Sequence, residues 1–417
     1  MVDRICIKCN FCNTKILLRF QIGEFDIPFS FGCPICNVNL NGVRRVDNNS
    51  LELYNATLIE PVEPDYYADL SIELPHRKIQ KYVSFESVYS NGIGPFIDLV
   101  RLFETQQDYI DVMKKIREFM LFKTNKWNLL NSLYDIYIGN KIEFIKEPIL
   151  SFLPNYTVNN KLDAAMALHQ SSVIGMNKIL DSNCLEEFME CSNKIMGKNT
   201  IFEVKRFVEF LKNNENFDFQ VKRILKIYSR WIEDFEKYIP IVTISLGKLR
   251  DVFNKENYGI ATISFENMIS FYNDTYELLL DMVTVAVGLN NIFVRGDFNK
   301  FISKSDLENF DDYYKLTKSQ RLNALGKEEP FSKYICMDRN VRNAIAHYTY
   351  DFENNTQKIY FYDKYKNKEK IKELYLCDLA LLCYDNITIL VYLNELFYNI
   401  RKIDLLGSGM IPNIRFW

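Results

Sequence analysis

Asp338-Arg339-Asn340-Val341-Arg342-Asn343-Ala344-Ile345-Ala346-His347-Tyr348 is the stretch from which the rest of the chain can be ordered. Its pattern predicts a helix beginning near Asp338, a suitable N-cap, and ending around Tyr348. On such a helix Arg339, Asn343 and His347 recur every fourth residue and line one face, with Arg342 flanking the stripe. Asn343 is then placed to hydrogen-bond the imidazole of His347 and set its tautomer. Val341, Ile345 and Tyr348 fall on the other side and are expected to bury against neighbouring helices.

Reading outward, apolar positions spaced three and four apart predict a helix over 264–292, another over 304–325 and a long last one over 368–403. Between the motif helix and the last helix, 348–353 and 358–362 alternate as a β-hairpin turning at Asn354-Asn355. Upstream, the helical pattern holds over 96–122, 127–138, 164–180, 201–212 and 219–238, and a domain boundary is expected between Pro240 and Ser245. Residues 46 to about 85 alternate more weakly, with prolines at 61, 64 and 75, as a few strands or an extended connector. The expected fold is mainly α, in three parts. A small ribbon occupies 1–45, connector strands and a helical middle region 46–245, and a four-helix C-terminal domain 246–417.

Five of the ten cysteines lie in the first 36 residues. Cys9-x2-Cys12 and Cys33-x2-Cys36 form two short pairs of the kind that supply four thiolates to one Zn²⁺. So short a segment buries little apolar surface, and a metal provides the missing folding energy. Cys6 could replace Cys9 or Cys12, since Cys6-x2-Cys9 is also a pair; Cys9 and Cys12 are preferred because Cys12 and Cys36 both precede Asn. With every position filled by protein, the expected zinc is structural. The remaining cysteines sit in apolar helical contexts and read as buried small hydrophobes.

A net charge of −3 argues against a protein that coats nucleic acid by bulk electrostatics, so any such contact must be local. With 48% hydrophobic residues the chain has the balance of a folded protein. No membrane span and no signal-peptide core is expected, and the chain reads as cytoplasmic.

The Arg342-Asn343-x3-His347 arrangement resembles the signature of the HEPN superfamily (higher eukaryotes and prokaryotes nucleotide-binding domain). That signature is an Arg, usually followed by a polar residue, and a His about four to six positions later. The wording Arg-Asn-Ala-Ile-Ala-His-Tyr agrees beyond the spacing, as does its place on the third of four C-terminal helices. Neither His76 nor His169 has an Arg at this spacing. The resemblance covers roughly 245–417. It implies a HEPN-like bundle and a metal-independent endoribonuclease with Arg342, Asn343 and His347 as catalytic groups. It further implies a homodimer or higher homo-oligomer with the site at the subunit interface, and a role as a toxin or abortive-infection effector in anti-phage defence.

The chemistry of RNA cleavage suits these residue types independently. The ribose 2′-OH attacks the adjacent phosphate, so the substrate brings its own nucleophile. An imidazole suits both the base and the acid, and a guanidinium offers a planar fork of donors for the phosphoryl oxygens. Arg339, Tyr350, Lys364, Lys366 and Lys368 are expected to line the RNA, basic residues beside aromatics being suited to a single strand. A phage trigger or regulatory partner acting on the upstream regions is also expected. The alternative is a non-catalytic zinc-ribbon adaptor that dimerises and binds nucleotide or nucleic acid.

Overall fold

The computed structural model describes residues 2–84, 95–197, 200–302, 307–326, 329–363 and 369–413. Nine strands come first: β1 (Val2–Cys9), β2 (Lys15–Gln21), β3 (Ile27–Gly32), β4 (Asn39–Arg44), β5 (Leu51–Tyr54), β6 (Ala56–Ile59), β7 (Tyr66–Ser71), β8 (His76–Arg77) and β9 (Gln80–Lys81). Eight helices follow: α1 (Pro95–Val100), α2 (Gln106–Phe122), α3 (Asn128–Ile138), α4 (Lys161–Met176), α5 (Ser182–Ile195), α6 (Ile201–Asn214), α7 (Phe217–Glu233) and α8 (Phe235–Leu246). After β10 (Tyr258–Gly259) come α9 (Phe265–Arg295), α10 (Phe310–Lys315), α11 (Lys318–Arg321) and α12 (Arg339–Ala346). Then β11 (Tyr350–Glu353), β12 (Lys358–Tyr362) and β13 (Lys370–Tyr375) lead into α13 (Leu376–Gly407). The protein is mainly α, as expected.

These elements form two compact units, each assembled from three separate pieces of chain. The first comprises Met1–Ile116, Glu233–Asn273 and Asp338–Asp385. It holds a five-stranded sheet ordered β6-β1-β2-β7-β9, a three-stranded sheet β3-β4-β5, a β10-β8 ladder and a three-stranded sheet β11-β12-β13. In the five-stranded sheet Arg19 of β2 stands opposite Asp69 of β7. Both are buried and joined at 2.7 Å, so neither charge is left unpaired.

The second unit comprises Arg117–Ile232, Asp274–Met337 and Asn386–Trp417 and is almost wholly helical. Phe188 packs its ring against Phe331, Tyr334 and Tyr392 at 4.6–5.4 Å. Gly288 of α9 lies flat against the Phe207 ring, where a Cβ would collide. His169 is buried here, its Nε2 2.6 Å from Glu395 and its ring stacked on Tyr398.

Several expectations need correction. The cut at residue 45 falls between β4 and β5, which are hydrogen-bonded partners, and β1 and β2 pair with β6 and β7. The cysteine-bearing strands cannot be separated from those that follow, because their backbone groups are satisfied by them. The expected boundary at Pro240–Ser245 lies inside α8, which carries Pro240 within the helix. The expected helix over 304–325 is broken. Its described part is α10, α11 and a 3₁₀ turn, with extended backbone at Leu316 and Thr317 where a Thr317–Gln320 capping box restarts the chain. The last helix starts at Leu376, not 368. Lys370–Tyr375 form β13 instead, because Ile359 and Phe361 of β12 offer an open edge to pair with.

Apolar stretches of membrane length do occur. α9 and α13 are long and apolar enough by composition to cross a bilayer, since such a window tolerates a charge or two. In each, 78% of the apolar window is buried within the fold.

Candidate active site and cysteine centre

The motif helix α12 is short, and its position depends on both ends being tied down. At its start the Asp338 carboxylate accepts the Val341 amide at 3.0 Å. The same carboxylate pairs with Lys372 of β13, and the Tyr272 hydroxyl donates to the Asp338 carbonyl at 3.1 Å. Val341, Ala344 and Ile345 are buried, and the helix packs on β13 and on β12, whose Ile359 and Phe361 are fully buried. This leaves Arg339 and His347 exposed and Arg342 and Asn343 half-buried. The expected single polar face is therefore present. Asn343 Oδ1 accepts from Arg342 Nη1 at 3.2 Å, a pairing the spacing did not suggest.

His347 is the C-cap, with its amide on the Asn343 carbonyl at 3.1 Å. Tyr348 then takes a left-handed conformation, φ +56°. Its amide bonds to the Ile345 carbonyl at 3.1 Å, and the Thr349 amide to the Ala344 carbonyl at 2.9 Å, the Schellman closure of a helix. Tyr348 was expected to bury; it is 84% exposed. The helical phase that placed it inward ends one residue earlier, and the left-handed turn swings the ring outward.

The other two histidines cannot face a substrate. His169 is held by Glu395, and His76 is buried, with desolvation and nearby Lys78 lowering its imidazole to about 4. Tyr350 begins β11 half-buried, its ring edge-on to Phe265 at 5.5 Å. Burial, with Tyr348 and Glu266 nearby, pushes its phenol up. Lys364, Lys366 and Lys368 lie outside the described residues. From the same lysine run, Lys370 pairs with Glu373 and lies 4.7 Å over the Tyr360 ring, and Lys372 anchors Asp338.

The hairpin β11–β12 that follows His347 is clamped at its tip. Gln357 is buried and bonds the Ile260 backbone in both directions, at 3.1 and 2.8 Å. Lys78 donates to the carbonyls of Lys255 and Thr356 at 2.8 and 2.6 Å, and burial lowers its ammonium to about 8. Asn355 Nδ2 reaches the Pro34 carbonyl at 3.4 Å, and a Cβ on Gly32 would meet the Asn354 side chain at 2.6 Å. The turn bearing Cys33 and Cys36 thus abuts the hairpin that begins three residues beyond His347. Sequence spacing carries no signal for this contact.

Cys9, Cys12, Cys33 and Cys36 place their sulfurs within 4.8 Å of one another and can hold a metal ion. Cys6 is not among them; its sulfur faces the Val62 carbonyl at 3.8 Å. The two turns share one construction. Asn13 and Asn37, the residues after Cys12 and Cys36, both adopt positive φ (+61° and +59°), and their amides bond back to the Cys9 and Cys33 carbonyls. Burial alone would raise the Cys12 thiol, but hydrogen bonds from Thr14, Cys33 and Cys36 outweigh it and bring it to about 6. The Val38 amide favours the Cys36 thiolate, yet burial and the neighbouring sulfurs push it up to about 12, and burial raises Cys33 as well. One negative charge sits easily in the cluster and further ones repel, a balance that a cation reverses.

Comparison of the chain with protein-family models, with curated proteins and with solved structures finds no match in any of the three.

Proposed function

We propose that the chain is a metal-independent endoribonuclease of the HEPN type, acting in the cytoplasm as an anti-phage, abortive-infection effector. The observation that carries this reading is the presence of Arg342 and His347 on the unburied side of one capped helix, His347 being the exposed histidine of the three. In the proposed reaction an imidazole takes the proton of a ribose 2′-OH. The 2′-oxygen bonds to phosphorus, and the P–O5′ bond breaks as a second imidazolium protonates the departing 5′-oxygen. Products carry a 2′,3′-cyclic phosphate and a 5′-OH.

Arg342 would hold the charge that grows on the phosphoryl oxygens, with Asn343 steadying its guanidinium through their 3.2 Å hydrogen bond. One His per chain serves poorly as both base and acid, so two chains are proposed to bring two α12 helices to one cleft. Zinc is the proposed metal of the cysteine centre. A ZnS₄ tetrahedron with bonds of about 2.3 Å has edges of about 3.8 Å; the Cys9–Cys36 and Cys12–Cys33 sulfurs lie 3.7 and 3.4 Å apart. All four corners are protein, which supports a structural role.

The test is RNA cleavage by the wild type, His347→Ala and Arg342→Ala, with excess chelator added in a parallel reaction and the product ends identified. Loss of one general acid–base group should slow cleavage by about 10²–10⁴-fold, and only the wild type should arrest growth on expression. Equal cleavage, or equal growth arrest, by all three proteins would reject the assignment.

A further inference from the structure

Left-handed backbone is disfavoured for residues with a Cβ, and Asn and Gly tolerate it best. Among the described non-glycine residues it occurs at Asn13, Asn37, Asn49, Asn55, Asn140, Asn155, Lys248, Gln357 and Tyr348. The chain thus solves this backbone problem with Asn at most positions, and with an aromatic ring only at the residue following His347. No burial offsets that choice, since Tyr348 is 84% exposed. Nor does the ring serve the helix end: the Schellman closure uses the Tyr348 and Thr349 backbone amides and would form equally with Asn or Gly. The direction in which the side chain leaves the backbone is set by bonds on both sides: the Tyr348 amide donates to the Ile345 carbonyl, the Thr349 amide donates to the Ala344 carbonyl, and the Thr349 carbonyl accepts from the Tyr362 amide.

We infer that Tyr348 is a stacking platform for a nucleobase of single-stranded RNA, placed next to the phosphate that Arg342 and His347 would engage. This rests on the ribonuclease reading above and deepens it by naming the residue that selects an unpaired strand. A base stacks on an aromatic face whatever its identity, whereas a duplex keeps its bases internally stacked. An exposed ring adjoining a scissile phosphate therefore favours unpaired RNA over duplex.

The test uses a fluorescein-labelled ten-nucleotide RNA with every ribose 2′-O-methylated, which lacks the nucleophile and cannot be cleaved. Its binding to the wild type, Tyr348→Asn and Tyr348→Phe is followed by anisotropy, and unlabelled RNA cleavage is measured in parallel. Tyr348→Asn should weaken binding by between about fivefold and a hundredfold, Tyr348→Phe by less than about threefold. Tyr348→Asn should also melt no lower than the wild type, because Asn suits the left-handed position better. Unchanged affinity in Tyr348→Asn, a clear drop in that variant's melting temperature, or no binding by the wild type would each overturn the inference. Binding that falls as expected in a chain that cleaves no RNA would keep the platform and remove the nuclease; cleavage by the wild type with unchanged Tyr348→Asn binding would do the reverse.

Discussion

Lowering the pH from 7 to 5 should cost the fold about 2 kcal/mol through one side chain, His76. The ring lies in the first unit, on the β8–β10 ladder opposite Gly259, and is 4% exposed. Its Nδ1 faces the Arg77 carbonyl at 2.7 Å, and its buried Nε2 has no hydrogen-bond partner among the described residues. A second ring proton would therefore be buried without an acceptor and would face the Lys78 ammonium, which is why the imidazole is lowered to about 4 from the ordinary 6.5. Above pH 6.5 the ring is neutral in both the folded and the unfolded chain, and the stability it contributes is fully present. Below that, the unfolded chain binds the proton and the folded one does not until about pH 4. Each unit across this window is worth about 1.36 kcal/mol, giving about 2 kcal/mol by pH 5 and about 3 at completion. Lys78, lowered to about 8, is charged in both states throughout this range and adds nothing to the slope. Urea unfolding at pH 7, 6 and 5 should show this loss in the wild type and a slope flatter by the same amount in His76→Gln. Parallel slopes in the two proteins would show that the ring titrates normally and that its burial is not what sets the acid sensitivity.

Two further perturbations bear on the site. Ile345→Ala removes a side chain 4% exposed beneath α12 and should cost about 2–5 kcal/mol, whereas exposed His347→Ala should change stability by less than about 0.5; matching thermal shifts for the two would contradict the packing described. Cys36→Ser, or removal of metal by a chelator, should lower bound metal below one ion per chain and speed amide exchange in the hairpin 350–362, through the Asn355–Pro34 contact. Metal loss with unaltered exchange there would show the clamp to be independent of the cysteine centre.

The cysteine cluster was legible in the sequence because its pattern is local. Four thiols in two short pairs have few ways to meet, and the Asn after each pair marks the left-handed residue that closes the turn. The motif helix and its hairpin were legible for the same reason: an Asp cap, a polar stripe every fourth residue and an alternating run are written within one turn or one strand pair. What only the tertiary structure decided lies at the ends and across long gaps. Tyr348 points outward because the helix stops at His347, a choice of one residue that periodicity does not resolve. Lys370–Tyr375 became a strand because β12 left an edge to pair with, and Lys372 found Asp338, 34 residues away. His76 and His169 withdrew into the interior, singling out His347. Local backbone preferences amount to about a kilocalorie per residue, and the burial and pairing supplied by distant segments outweigh them wherever the two compete.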